Sequence, residues 1–353
     1  MGGNQPGARC VMRLATWNIE WMNALFDDAG RPLEDNAPSA RYHVTRGEQL
    51  VSIGIVMAAM DADAVFIVEA PDDNRRRSTV QALENFAELC GLRTRRAVMG
   101  FRSDTEQELA LLYDPDTMSV TVDPQEGPDA PRFDRETGID LGNGNGLEQV
   151  VFSRPPLELT ITPVRGLPFR LIGAHAKSKA PHGARNADEV RSLALSNRRK
   201  QLAQCIWLRR RIESHLRAGD RLIVMGDLND GPGLDTFEGV FGLSGVEIVM
   251  GCAAVAGCST DGPMRLHDPH ALDALHHPLG GGPSSARFYN KQTRRYFPAL
   301  LDYILVSQTI ADTRPDWRIW HPFDDPVCWQ TPELREALLA ASDHFPVTLD
   351  FEP

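Results

Sequence analysis

The 353-residue chain has no run approaching the ~18 consecutive apolar residues of a membrane span, which excludes a spanning helix of that kind. Residues 1–11 carry no apolar run behind a basic start, so a flexible tail is expected there rather than a secretory leader. Cysteine is sparse, six in all with no Cys-x-x-Cys, which speaks against a disulfide framework. Free buried thiols in a cytoplasmic protein are the expectation. No unit of roughly 20 to 50 residues repeats, so solenoids and propellers are excluded. Basic side chains are the minority, 37 against 48 acidic, for a formal charge of −11. A protein that binds polyanions indiscriminately carries the opposite sign. A phosphate-bearing ligand must therefore be held by a local basic patch or by metal ions.

The remainder is ordinary globular material, 42% hydrophobic and 24% charged. Length alone allows about two domains. No stretch reads as a linker, however, so one domain is expected over residues 12–353. Short apolar runs bounded by Gly, Pro or Asp read as strands: Met12–Trp17, Ala64–Val68, Leu109–Tyr113, Leu157–Ile161, Phe169–Ile172, Leu222–Met225, Leu301–Val306 and Val347–Phe351. Helical patterns lie at about Gly47–Met60, Thr79–Cys90, Val190–Arg217 and Pro332–Ala341. In the third, Leu195, Leu202, Ile206, Ile212 and Leu216 form the stripe of a helix lying on a sheet. Strands outnumber helices and several follow one another directly. That argues against a TIM barrel or a Rossmann fold and for an α/β sandwich of antiparallel or mixed sheets. Asp123–Gly146 and Gly257–Pro283 read as long surface loops.

Polar residues gather where the strands stop. Asn18, Glu69 and His175 each end a strand, and Gly226-Asp227-Leu228-Asn229 ends another. Asp302 and Ser342-Asp343-His344 follow near the end of the chain. Positions i and i+2 of an extended chain share a side, so Asp227 and Asn229 can face one site. A carboxylate closing a buried apolar run, as Glu69 does, is costly unless a cation or a donor meets it. Glu69, Asp227 and Asp343 with two Asn amides form an oxygen-rich set suited to Mg²⁺ or Mn²⁺. The histidines are then left for acid–base work or phosphate contact.

Six segments in order carry a resemblance: Thr16-Trp17-Asn18-Ile19-Glu20, Glu69 after its strand, His175-Ala176-Lys177-Ser178-Lys179, Gly226–Asn229, Leu301–Ser307 and Ser342–Val347. Together they resemble the endonuclease/exonuclease/phosphatase superfamily, with its DNase I-like fold, over nearly the whole chain. The resemblance implies a four-layer α/β sandwich of two packed sheets flanked by helices. It implies a metal-dependent phosphoric ester hydrolase in which Mg²⁺ or Mn²⁺ assists in-line attack of water on a phosphodiester. Carried over by position, Asn18, Glu69, Asp227 and Asp343 match the metal-binding set. Asp227 and Asn229 match the pair that orients water and a phosphoryl oxygen. His344 matches the histidine at the scissile phosphate, with Asp302 orienting it. His175 matches the second histidine, with Glu108 as its expected acidic partner and Glu106 in reserve. Arg154 and Lys177 are the expected phosphate contacts. Two departures are Val68, where many relatives have Gln, and His175, where some DNA-repair members have Tyr.

Specificity is less legible. The segment His175–Lys179 is similar to one in bacterial nuclease-like members of the superfamily, which favours a nuclease acting on DNA or RNA. A phosphatase, or a phosphodiesterase acting on a lipid or small metabolite, is the alternative. From Lys177 to Arg217 eleven basic residues face three acidic ones, a candidate electrostatic arm or a solvated helix face. Aromatics interleave with bases from Asn290-Lys291 to Phe297, a candidate surface for stacking nucleobases. Cys252, Cys258, His267, His270, His276 and His277 have spacings outside the common structural-zinc patterns, so a His-rich loop is expected there.

Overall fold

The computed structural model describes residues 11–142, 146–181, 183–232, 240–252, 262–276, 282–290 and 294–353. The chain begins with β1 (Met12–Asn18), β2 (Ala64–Ala70), β3 (Arg96–Met99) and β4 (Glu108–Tyr113). Next come β5 (Met118–Val122), a hairpin of β6 (Thr137–Asp140) and β7 (Leu147–Val150), then β8 (Leu157–Pro163) and β9 (Phe169–His175). Then follow β10 (Leu222–Asp227), β11 (Leu266–His267), and a second hairpin of β12 (Ala286–Asn290) and β13 (Arg295–Ala299). The last strands are β14 (Asp302–Ser307), β15 (Asp316–Ile319) and β16 (Val347–Phe351).

Twelve of these form two six-stranded mixed sheets, in the orders β15-β16-β1-β2-β4-β3 and β11-β14-β10-β9-β8-β5. The β1–β2 and β9–β10 pairs are parallel, while β1–β16 and β10–β14 are antiparallel. Side-chain alternation explains how the sheets stack. Leu14, Phe66 and Val68 point between the sheets to meet Leu171, Ile223 and Ile304. The alternate residues Ala15, Trp17, Val65 and Ile67 point outward, onto α1 (Arg46–Met60), α2 (Thr79–Leu89) and the Pro332–Ala341 helix. On the far side, Ile172, Val224 and Leu305 meet Leu202, Ile206 and Trp207 of the long helix α3 (Ala187–Ala218). The result is the expected DNase I-like sandwich: helices, sheet, sheet, helices. The sheets approach so closely at Gly173 that a Cβ there would sit 2.1 Å from the Phe66 ring.

Three edge strands were not legible as apolar runs: β5 and β15 interleave exposed polar residues with apolar ones, and β3 is only four residues long. The Asp123–Gly146 stretch is not wholly loop, since β6 lies within it and pairs with β7. The described part of Gly257–Pro283 holds β11 and the Pro269–His276 helix. Among the described residues, Cys252, His267, His270 and His276 form no metal-ligand cluster, while Cys258, His277 and Lys291 lie outside them. Of the expected tail, residues 1–10 also lie outside, and Val11 is exposed. Among the described residues no helix is long and apolar enough to cross a membrane.

Candidate active site

One edge of the sandwich collects the ends of strands from both sheets around a cavity of about 1280 Å³. Sheet one supplies Asn18 from β1 and Glu69 from β2, and sheet two supplies His175 from β9 and Asp227 from β10. Asp302 opens β14, directly across the ladder from Asp227. Asp343 and His344 come from the connection into β16. Two local irregularities aim these groups. The β2–β4 register shifts between Val68 and Ala70, and Glu69 there takes a left-handed φ of 63°. Such a bulge turns a side chain out of the pleat. Asn229 also has a positive φ, 51°, with its N–H on Asp227 Oδ1 at 2.7 Å and its Nδ2 on Ala176 O at 3.1 Å.

His344 Nδ1 lies 2.7 Å from Asp302 Oδ2, which also accepts from Ser285 Oγ at 2.8 Å. Burial alone would lower the His344 pKa, but the charge and hydrogen bond of Asp302, then Asp227 and Asp343, hold it well above its ordinary value. Burial pushes Asp227 up to about 7, against the pull of His344 and of donors including Asn18 Nδ2 at 3.0 Å. His175 is held well below its ordinary value by burial and then by Arg154, His344 and Lys177, so its ring is neutral at pH 7. Arg154, partly buried, donates to Gln107 Oε1 at 2.5 Å and lines the cavity together with Lys177.

The expectation for Glu108 is corrected. Its carboxylate accepts from the N–H groups of Asp73 at 3.3 Å and Ser103 at 2.9 Å. Glu108 sits opposite Ala70, just past the bulge at Glu69, and its side chain is taken up by these backbone donors. Glu106 instead accepts from Asn23 Nδ2 at 3.1 Å, and neither acid lines the cavity. The carboxylate nearest His175 is Asp227, 3.5 Å from Nε2. The basic arm is corrected as well. Arg198, Arg209 and Arg211 are buried, and Arg198 is ion-paired with the buried Asp230 at 2.5 Å. Asp230 also accepts from Lys179 Nζ at 2.6 Å. Gln201 of α3 donates to Asn229 O at 2.8 Å, so this part of the helix braces the site from behind.

Glu20 is a site residue the sequence reading left out of the metal-binding set. It lines the same cavity, and burial followed by the neighbouring Asp343 pushes it up to about 7, against the ion pair with Arg41. The signal was present in Thr16–Glu20, because Glu20 stands two residues beyond Asn18. Burial likewise raises Glu69, and Asp343 adds to that, while the Trp21 N–H, His344 and Arg154 partly offset it. Buried Asn18 Oδ1 and Asp302 Oδ1 have no hydrogen-bond partner among the described residues. Asp227, Asp302 and His344 also offer ligand atoms within 4.8 Å of one another. Crowded carboxylates and an orphaned amide oxygen are a donor set that fits a hard divalent cation.

The family model described as "Endonuclease/Exonuclease/phosphatase family" matches residues 15–344. Among solved structures, the chain is similar to truncated Caenorhabditis elegans TDP2, with 14% identity, 97% and 98% of the two chains covered, and a TM-score of 0.51. It is similar to ANGEL2, a 2′,3′-cyclic phosphatase, at 14% identity, 97% and 95% coverage and a TM-score of 0.52. It is similar to D. rerio TDP2 complexed with a single-strand DNA product at 12% identity, 97% and 99% coverage and a TM-score of 0.50. These likenesses are of fold. No curated protein sequence matches the chain.

Proposed function

The chain belongs to the endonuclease/exonuclease/phosphatase family, and on that premise we propose that this phosphoester hydrolase is a nuclease, cleaving the phosphodiester backbone of DNA or RNA. One observation carries the nucleic-acid reading. The cavity joins Arg154, Lys177 and the carboxylate–histidine set to the aromatic rings of Phe288 and Phe297, with the Phe288 ring edge-on to His344 at 5.4 Å. Phosphate and planar base thus each find a complementary surface within one cavity. That the fold holds single-strand DNA in the D. rerio relative is consistent with this reading. Kinship to the bacterial nuclease-like branch rests on the His175–Lys179 segment alone.

Glu20, Glu69 and Asp343, with Asn18 beside them, would hold the divalent cation. When bound, it supplies positive charge to the oxygens of the scissile phosphate. Asp227, with a pKa near 7, can take a proton from the attacking water at neutral pH, while Asn18 and Asn229 fix its orientation. His344, charged and held by Asp302, neutralises the phosphate and donates toward the leaving oxygen. Neutral His175 and the cavity-lining Arg154 take the non-bridging oxygens.

The test is a panel of plasmid, single-stranded DNA, RNA, phosphomonoesters and a nitrophenyl phosphodiester, each with Mg²⁺, Mn²⁺ or EDTA. Polymer cleavage that stops with EDTA is expected. Turnover of small phosphoesters with every polymer left intact would overturn the nuclease reading in favour of a metabolite or lipid substrate.

A further inference from the structure

The β12–β13 hairpin is stitched to the catalytic dyad. Ala286 bridges to His344, Arg287 N–H donates to Asp343 O at 2.8 Å, and Ser285 Oγ donates to Asp302. Its cross-strand pairs place Phe288 opposite Phe297 and Tyr289 opposite Tyr296. Neighbouring positions on a strand point to opposite faces, so the tyrosines stand on the face away from Phe288 and Phe297. From the tyrosines a continuous ladder of aromatics and arginines runs over the surface. Tyr289 meets Tyr296 edge-on at 5.2 Å, and the Arg287 guanidinium lies over Tyr296 at 3.7 Å and over Phe323 at 4.9 Å. Phe323 is 6.2 Å from Trp329, and Arg335 covers Trp329 at 4.8 Å. Tyr289, Tyr296, Phe323 and Trp329 are all exposed, between 39% and 54%. Arg294 and Arg295 stand exposed at the tip of the hairpin. Of the acids beside it, Asp324 is engaged by His321 at 3.0 Å and Asp325 by Arg318 at 2.8 Å.

We infer that this ladder is a stacking track for single-stranded nucleic acid on the outer face of the hairpin that borders the cavity. The inference rests on the nuclease reading and adds to it the form of the substrate. Two observations favour this occupant. Arg287 and Arg335 are set among the four rings, which suits a strand that presents both phosphates and bases. The ladder also begins on the hairpin bonded to His344, on the opposite face from the cavity rings, so a strand held at His344 reaches it by passing round the hairpin. A duplex hides the faces of its bases in its own stack and cannot use these rings.

The experiment measures binding of labelled oligothymidylates of increasing length to the full chain in EDTA, by anisotropy and tryptophan fluorescence. Trp329→Ala and the pair Tyr289→Ala with Tyr296→Ala alter exposed side chains only. Each should weaken binding of a 15-mer about tenfold per ring lost. Each should leave binding of a dinucleotide, and hydrolysis of a nitrophenyl phosphodiester with metal, unchanged. The 15-mer should quench Trp329 in the wild type, and Trp329→Phe should lose that quench while keeping most affinity. Equal affinity of wild type and variants for the 15-mer overturns the track while leaving the nuclease reading in place. If the wild type binds no oligonucleotide yet hydrolyses the small diester, the nuclease reading fails and the track falls with it. A wild-type dimer that Trp329→Ala converts to monomers would identify the ladder as a self-association surface and overturn the inference.

Discussion

At Asp302 a single carboxylate oxygen meets both His344 Nδ1 and Ser285 Oγ, which leaves the other imidazole nitrogen for the cavity. Asp302→Asn would favour the wrong tautomer. It should cost about two to four orders of magnitude in turnover with little loss of folding. His344→Ala should cost at least as much, and the double variant should be scarcely worse than His344→Ala alone. Additive losses in steady-state kinetics would show that the two do not act as a unit. Glu108 provides the contrast. Because its carboxylate meets only backbone donors away from the cavity, Glu108→Gln should change turnover by no more than about twofold while lowering the melting temperature. The sequence could locate Asn18, Glu69, His175, Asp227, Asp302 and His344 at strand ends, because each closes or opens an apolar run. It could not say which acid meets which histidine. That depends on how the two sheets pack and on local backbone donors, which take up Glu108 and leave Asp227 nearest His175.

The same division holds among elements. Central strands were legible because both faces are buried: β2 and β10 are apolar almost throughout. Edge strands were not, since one side faces water and polar residues alternate with apolar ones, as in Met118–Val122. Helix α3 was legible as a helix, but its arginines were misread, because charge in a sequence does not reveal burial. Arg198→Glu should therefore destabilise the fold by about 3 kcal/mol or more, through an uncompensated buried charge beside Asp230. Reversing the exposed Arg199 and Lys200 should leave the unfolding midpoint nearly unchanged, and chemical denaturation distinguishes the two. Gly226 is constrained in another way. Its φ is 132°, and a Cβ would sit 2.0 Å from Ala174 O, between the strands that carry His175 and Asp227. Gly226→Ala should spread these strands, costing at least about 1–3 kcal/mol together with most of the activity.

For the molecule as a whole, the acidic site couples stability to pH and to metal. Glu20 and Asp227 rise from ordinary values of 4.5 and 3.8 to about 7 in the folded state. A group whose folded pKa is raised contributes stability that is fully present below the unfolded value and lost as pH rises through the folded one. In EDTA the melting temperature should therefore fall between about pH 5 and pH 8, although His175, held neutral, works the other way below its ordinary 6.5. A divalent cation binds the charged carboxylates, so Mn²⁺ should raise the melting temperature more at pH 8 than at pH 5. Calorimetry at the two pH values, with and without the ion, checks this, and an equal rise at both would contradict it. Chain order carries one more consequence. Residue 12 pairs with residue 351, and the last strand inserts between β1 and β15 only after Asp343 and His344 have been added. During synthesis on the ribosome, sheet one must therefore wait with an open flank for its final strand, and no nascent chain short of that point holds the complete catalytic set. Hydrolysis thus waits for residues 342–351, a delay written into the topology without any inhibitor.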